Sequence, residues 1–235
     1  MDKASLDLVQ SRFPSQHPER LQLYSLATPN GQKAGIALEE AGLPYEAHLV
    51  DITQGDQHTD AFKAINPNSK IPALIDPDGP DGAPLPIIES GAILLHLADK
   101  SGKLMPSDGR GRSEAIQWLM FQMGGVGPMF GQFGHFYKFA RDTVKDPYPL
   151  ERYSKETQRL LGVLDARLVG RDFLVGDDAT VADIATVPWV RVLSGFYGGA
   201  EDLGLADFKA VNSWVDRCMA RPGFQRGSEI CTRPS

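Results

Sequence analysis

Residues 28 to 31 read Thr-Pro-Asn-Gly and stand between an apolar run, Leu21 to Leu26, and a helical pattern, Gln32 to Ala41. A threonine followed by proline starts a helix well: the hydroxyl caps free amides, and the fixed φ of proline suits the first helical position. The turn is therefore a strand-to-helix junction, the first of a βαβ series. In open α/β sheets such junctions lie at the carboxyl ends of strands, where ligands bind. A helix start there offers unpaired amides and a partial positive charge to an anion.

The chain continues in the same grammar. Helix 32 to 41 stops at Gly42 with Pro44 behind it, and Tyr45 to Val50 is a second strand. A polar loop over 51 to 60 and a short helical piece, Ala61 to Ile65, lead to the turn Asn66-Pro67-Asn68-Ser69 and a third strand, Lys70 to Ile75. Pro72 falls early in that strand. Because proline is tolerated only at a strand's start or edge, the backbone just before Ala73 is expected to be left unpaired by the sheet. The Ile71-Pro72 bond admits a cis form, with the amide and carbonyl of Ile71 then free to pair with an extended ligand. The turn-rich DPDGPDGAP at 76 to 84 returns the chain antiparallel as Leu85 to Ile88, and Glu89-Ser90-Gly91 opens a helix over Ala92 to Lys100. The order βαβαββα is a thioredoxin-like arrangement.

GKLMPSDGRGR at 102 to 112 breaks the composition and reads as a domain boundary. Beyond it the pattern is helical, over 113 to 140, 150 to 168, 181 to 194 and 208 to 220. Thr180 with Asp183 resembles a capping box, a structural pair. The expected fold class is α/β plus all-α: an extension over 1–20, polar enough to read as a loose arm, a thioredoxin-like domain over 21–104, and an all-helical bundle over 105–235.

A chain of 235 residues with 42% hydrophobic content can bury a sizeable core, and its net charge of −6 leaves no footprint for nucleic acid or an anionic membrane. The opening residues lack the basic and apolar regions of a signal peptide, and no stretch is apolar enough to span a bilayer, so a cytoplasmic protein is expected. Cys218 and Cys231 suit neither a disulfide framework nor a metal site, and the five histidines lack ligand spacing, so no metal is expected.

Chemistry at the first turn follows from what is missing. A thioredoxin-like fold doing its own redox work needs a cysteine here, and the positions hold threonine and asparagine. Sulfur chemistry must then use a thiol supplied by a ligand, with Thr28 and Asn30 as donors to its thiolate. Magnitudes favour such donors over the helix dipole: a helix end contributes roughly 0.3–1 kcal/mol toward an anion, a hydrogen bond to a charged group about 1.5–3 kcal/mol. A plain helix cap explains the same residues. Ser90 is likewise a natural N-cap; read functionally, its hydroxyl and the following amides hold a carboxylate while Glu89 pairs with an ammonium, together a receptor for the α-amino acid end of a peptide. The glycines from Gly124 to Gly131 do not match a nucleotide loop; they thin a helix surface for the approach of another backbone, with Pro128 as a kink. Phe133, His135, Phe136, Tyr137 and Phe139 read as core, or else as the wall of an apolar substrate pocket.

TPNG at 28 to 31, NPNSKIPAL at 66 to 74, ESGAILLHLA at 89 to 98, QWLMFQMGGVGPMFGQ at 117 to 132 and ERYSKETQRL at 151 to 160 together resemble the glutathione transferase superfamily. Within it they are most similar to the nu class, the bacterial disulfide-bond oxidoreductases related to the yeast nitrogen-catabolite regulator. The resemblance implies a homodimer whose subunits each bind two reduced glutathione molecules or one glutathione disulfide, the helical domain completing the pocket. It implies that Thr28 and Asn30 lie beside the glutathione sulfur, that Ile71 pairs with the cysteinyl backbone, and that Glu89 and Ser90 hold the γ-glutamyl end. It also implies that Gln57 lies near the glycyl end and that Arg152 reaches the site from the helical domain. The tyrosine or serine activator of other transferase classes does not appear at Thr28. The function expected is reduction of small disulfides by thiol-disulfide exchange with bound glutathione and no catalytic cysteine. The alternatives are transfer of glutathione to electrophiles, peroxide reduction, and a regulatory protein that binds glutathione without turnover.

Overall fold

A computed structural model of the chain describes residues 1–233. Packing divides it into two compact units, Met1–Lys103 together with the segment from Gly223, and Leu104–Pro222.

The first unit is built on a four-stranded mixed sheet in the order β2-β1-β3-β4, with β1 at Leu21–Ser25, β2 at Tyr45–Leu49, β3 at Ala73–Asp76 and β4 at Leu85–Ile88. β1 and β2 are parallel, and β3 is antiparallel to both β1 and β4. All five residues of β1 are buried. β3 starts three residues later than its sequence pattern, because Pro72 has no amide to give the ladder and pairing begins at Ala73. Helices α2 (Pro29–Ala41) and α4 (Ser90–Ser101) pack on each other, and α3 is the short Asp60–Ile65. Gly42 ends α2 in the left-handed conformation, φ 71°, as a glycine stop should. At the other end of the sheet Asp76, 1% exposed, takes hydrogen bonds from His96 Nε2 at 2.7 Å and Lys100 Nζ at 3.1 Å, fastening β3 to α4. Burial pushes this carboxyl up, but the Lys100 and His96 bonds outweigh it and hold it below its ordinary value.

Two segments depart from the sequence reading. The first twenty residues are not a loose arm: Lys3–Arg12 is a helix, α1, capped by Asp2, whose side chain accepts from the Ser5 amide at 2.8 Å. Its Val9, with Phe13 just beyond its end, joins the core formed by Tyr24, Val50, Phe62 and Ile75, and α1 packs on α3. The last described residues belong to the first unit rather than to the helical bundle. Helix α10 (Pro222–Glu229) crosses α2 at two glycines, where a Cβ on Gly35 would stand 2.4 Å from the Gly227 carbonyl oxygen and one on Gly227 2.3 Å from the Ile36 Cα. Only glycine at both positions allows the two backbones to meet.

The second unit is all helical: α5 (Gly109–Phe121), α6 (Gly127–Gly134), α7 (Tyr148–Leu168), α8 (Val181–Ser194) and α9 (Lys209–Met219). The continuous helix expected over 113–140 is broken by π turns at Gln122–Val126 and His135–Phe139. The first relieves the missing amide of Pro128 in the opening turn of α6. The expected approach of another backbone holds for none of the four glycines from Gly124 to Gly131: a Cβ on Gly124 would meet nothing within 4 Å, Gly125 faces the Leu160 side chain, and Gly127 and Gly131 face Trp189, while beyond them a Cβ on Gly134 would lie 2.1 Å from the Tyr197 ring. The capping box at α8 is present, and Asp183 exceeds it. Fully buried, it accepts from the amides of Leu174 and Thr180, the Thr180 hydroxyl and Trp214 Nε1, all within 3.0 Å. Burial pushes its carboxyl above the ordinary value, and these four donors pull against that shift. Of the aromatic run, Phe133 is core, whereas Phe139 is 61% exposed and His135 is exposed, so the core reading fails for those two. Among the described residues no helix is long and apolar enough to cross a membrane.

Candidate functional site

Strand register gathers the candidate residues of the first unit. Ser25 pairs with Leu49 in parallel β1 and β2, so the turn at 26–31 and the loop carrying Gln57 leave the sheet side by side. Tyr24 pairs with Ala73, and Ala73 with Ile88, both antiparallel. Ile71, two positions before Ala73, and Glu89-Ser90, just after Ile88, therefore stand at that same end. Thr28, Asn30, Gln57, Ile71, Glu89 and Ser90 share one end of one sheet. This is the end that the strand-to-helix argument marks for ligands.

Thr28 is the N-cap of α2, its Oγ1 accepting from the Gly31 amide at 3.3 Å. The cap uses a lone pair. The hydroxyl hydrogen is directed to the Leu26 carbonyl at 3.5 Å, at the weak limit of a hydrogen bond, so capping and donation to a ligand are compatible. Asn30, half-buried, is the second helical residue. Gly31 is held against the end of β1: a Cβ there would lie 1.9 Å from the Leu26 carbonyl oxygen.

Ser90 is not the N-cap that its sequence position suggests. It is the first residue of α4; the cap position belongs to Glu89, whose side chain makes no capping bond. The reason is backbone geometry: Glu89 adopts φ 67°, unusual for a residue with a side chain, and turns the chain one position earlier. Ser90 is buried and accepts from Lys33 Nζ at 3.2 Å, while Glu89 is exposed. Burial lowers the Lys33 ammonium to about 7, with Glu89 pulling it back up.

The Ile71-Pro72 bond is cis. The turn before it is fixed by Asn66, 2% exposed, whose Nδ2 donates to the Lys70 carbonyl at 2.6 Å and whose Oδ1 accepts from the Asn68 amide at 2.9 Å. Gln57 donates through Nε2 to the Ile52 carbonyl at 3.2 Å, and its buried Oε1 has no hydrogen-bond partner among the described residues. An orphaned buried acceptor is costly, and a ligand N–H is one kind of donor that would satisfy it. Arg152 is in the second unit, exposed on the second turn of α7, where it lines a cleft of about 490 Å³ with Met129, Tyr148, Tyr153 and Arg159. Phe136, from the aromatic run, stacks on Tyr153 at 5.6 Å.

Cys218 is buried in the second unit. Cys231 is brought beside the first turn, its carbonyl accepting from the Ala27 amide at 3.3 Å. Its Sγ, however, is directed to the His48 carbonyl at 3.5 Å, and burial pushes the thiol up to about 11. A thiol held protonated is a poor nucleophile.

Family models describe what kind of chain this is. The model for the glutathione S-transferase N-terminal domain matches residues 27–100, and that for the C-terminal domain matches residues 118–222. The chain belongs to the glutathione S-transferase superfamily. The disulfide-bond oxidoreductase YghU of Escherichia coli (strain K12) is 44% identical over 220 residues, 90% of this chain and 74% of that protein. A glutathione transferase family member from Pseudomonas fluorescens pf-5, solved with two glutathione bound, is 54% identical with a TM-score of 0.93, covering 95% of this chain and 98% of that one. A glutathione transferase from Pseudomonas putida, solved with one glutathione disulfide bound per subunit, is 48% identical with a TM-score of 0.94, covering 97% and 99%.

Within this transferase fold, sequence reasoning passed over three residues at the candidate site. Lys33 was readable as an oddity, since it precedes the buried Ala37 and Ala41 by one and two helical turns and so falls on the inward face of α2. Asn66 was signalled by its Asn-Pro-Asn-Ser turn. Nothing local announced that Cys231 returns to Ala27.

Proposed function

We propose that the chain is a nu-class glutathione-dependent disulfide-bond reductase, a cytoplasmic homodimer that takes two glutathione molecules or one glutathione disulfide in each subunit. The observation that carries the reading is the set of neutral donors at the head of α2, where a redox-active fold of this kind needs a cysteine, together with the burial of the nearby Cys231 thiol, which pushes it up to about 11. Supporting it are the adjacent Glu89 and Ser90 at the start of α4, the backbone position at Ile71 left outside the sheet ladder and the orphaned acceptor of Gln57. Arg152 is assigned to the ligand on the resemblance alone.

In this mechanism a bound glutathione thiolate, held by Thr28 and Asn30, attacks one sulfur of an incoming disulfide. The S–S bond breaks, one thiolate leaves, and a mixed disulfide with glutathione remains. A second glutathione thiolate attacks the glutathione sulfur of that mixed disulfide, forming glutathione disulfide and releasing the second thiolate. The oxidant is the substrate and the two electrons come from two glutathiones.

Rates with a small disulfide, an organic peroxide and an aryl halide test the reaction class. The disulfide is expected to be fastest, and the chain lacking both cysteines, Cys218→Ala with Cys231→Ala, is expected to keep wild-type disulfide turnover within about twofold. A faster aryl halide or peroxide supports the transferase or peroxidase reading, binding without turnover supports a regulator, and loss of turnover in the cysteine-free chain removes the borrowed-thiol mechanism. Glu89→Gly separates strain from binding. A residue in such a conformation costs on the order of 1–3 kcal/mol, so glycine should hold or raise the thermal midpoint while glutathione affinity falls about tenfold with the lost ammonium partner. Unchanged affinity would take Glu89 out of the site.

A further inference from the structure

A buried lysine needs a reason. Lys33 is 1% exposed on a helix face otherwise made of glycine, alanine and aliphatic residues, and an apolar side chain would pack there without giving up an ammonium's hydration. Its Nζ lies 3.2 Å from Ser90 Oγ, and Ser90 is 4% exposed at the start of α4.

The direction of that bond has a consequence. In its protonated form Lys33 has three hydrogens and no lone pair, so the serine oxygen can only accept from it. A serine hydroxyl can donate or accept. With a lone pair committed to Lys33, its hydrogen is turned away from Nζ, which fixes the hydroxyl as a donor toward other acceptors. The ammonium also places a full positive charge behind such an acceptor, adding to the partial charge of the helix amides.

We propose that Lys33 is a positioning residue that fixes Ser90 as a hydrogen-bond donor and supplies the charge by which the site selects a carboxylate, so that affinity depends on the α-carboxylate of the ligand's γ-glutamyl group. The inference rests on the glutathione reading. Lys33 is lowered to about 7 by burial and raised by Glu89, and a ligand carboxylate on Ser90 acts in the same sense as Glu89.

Calorimetric titration tests it with two ligands, glutathione and the analogue in which that carboxylate is an amide, against wild type and Lys33→Met, which keeps the length and removes the charge. Wild type should bind the amide about tenfold more weakly than glutathione, and Lys33→Met should bind glutathione about tenfold more weakly and discriminate between the two by less than about twofold. The thermal midpoint of ligand-free Lys33→Met should equal or exceed that of wild type, because a buried charge has gone. A lower midpoint with the discrimination intact marks a merely structural lysine and overturns the proposal. Ser90→Ala, with Lys33 in place, should collapse the discrimination as well; if Lys33→Met does not fold, Ser90→Ala decides, and discrimination retained there overturns the proposal. Wild type that fails to bind glutathione overturns the functional reading and this inference together, whereas wild type that binds it while Lys33→Met discriminates normally overturns the inference alone.

Discussion

Turnover of a small disulfide is expected to fall by about two to four orders of magnitude when Thr28 and Asn30 are both replaced by alanine, with glutathione still bound. Each donor contributes about 1.5–3 kcal/mol to a charged acceptor, and two together contribute about 3–6 kcal/mol, at about 1.4 kcal/mol per decade. The loss falls on kcat because the thiolate carries the charge to which the donors respond, whereas the rest of the tripeptide is held at Ile71, Glu89 and Ser90 under this reading. Thr28→Ala also removes the cap of α2, since its Oγ1 accepts from the Gly31 amide. A lost cap costs about 1 kcal/mol of stability, so assays belong well below the thermal midpoint. Two comparisons separate the roles: Asn30→Ala leaves the cap intact and should lose part of kcat at unchanged stability, and Thr28→Ser keeps both cap and donor and should resemble wild type. Equal kcat in the double variant and wild type would remove the donors from the chemistry.

Gly31→Ala is expected to destabilise the fold by about 3 kcal/mol or more, at the upper end of overpacking effects. A methyl group at this position meets the Leu26 carbonyl oxygen at 1.9 Å and Ser25 Oγ at 2.5 Å. The serine hydroxyl can rotate away, but the carbonyl belongs to the backbone at the exit of β1, whose five residues are all buried. Relief requires the start of α2 to move off the sheet. That movement displaces Thr28 and Asn30, so activity should fall even in the fraction that remains folded. Urea denaturation measures it, and a change within about 0.5 kcal/mol, typical of an unremarkable surface substitution, would contradict the packing of the turn on β1.

Much of the fold and of the site was legible because its signals are local. Thr28-Pro29 marks a helix start, Gly42 a helix stop, Pro72 the point where the sheet cannot pair, and Thr180 with Asp183 a capping box; each states its geometry within four residues. What stayed hidden depends on distant partners. The bond from Lys33 to Ser90 joins positions 57 apart, and nothing within α2 announces it. Gly223 and Gly227 discourage a helix by propensity, yet α10 forms because glycine at 227 lets it press on α2. α1 was masked by Pro14, Pro18 and the charges around them, although Leu6, Val9 and Phe13 have helical spacing behind a capping Asp2. The conformation of Glu89 has no sequence signature, because glutamate is not a residue that favours positive φ.

The central claim is that the reactive sulfur belongs to the ligand and is kept ionised by Thr28 and Asn30. Ultraviolet titration of the thiolate of bound glutathione, in the chain lacking both cysteines and in that chain carrying Thr28→Ala and Asn30→Ala, measures this directly. The expected result is a bound thiol at least about one unit below the value near 8.5 of a free thiol, returning to it when the two donors are removed. A bound thiol that titrates like free glutathione, or one whose lowered value survives loss of both donors, would contradict it.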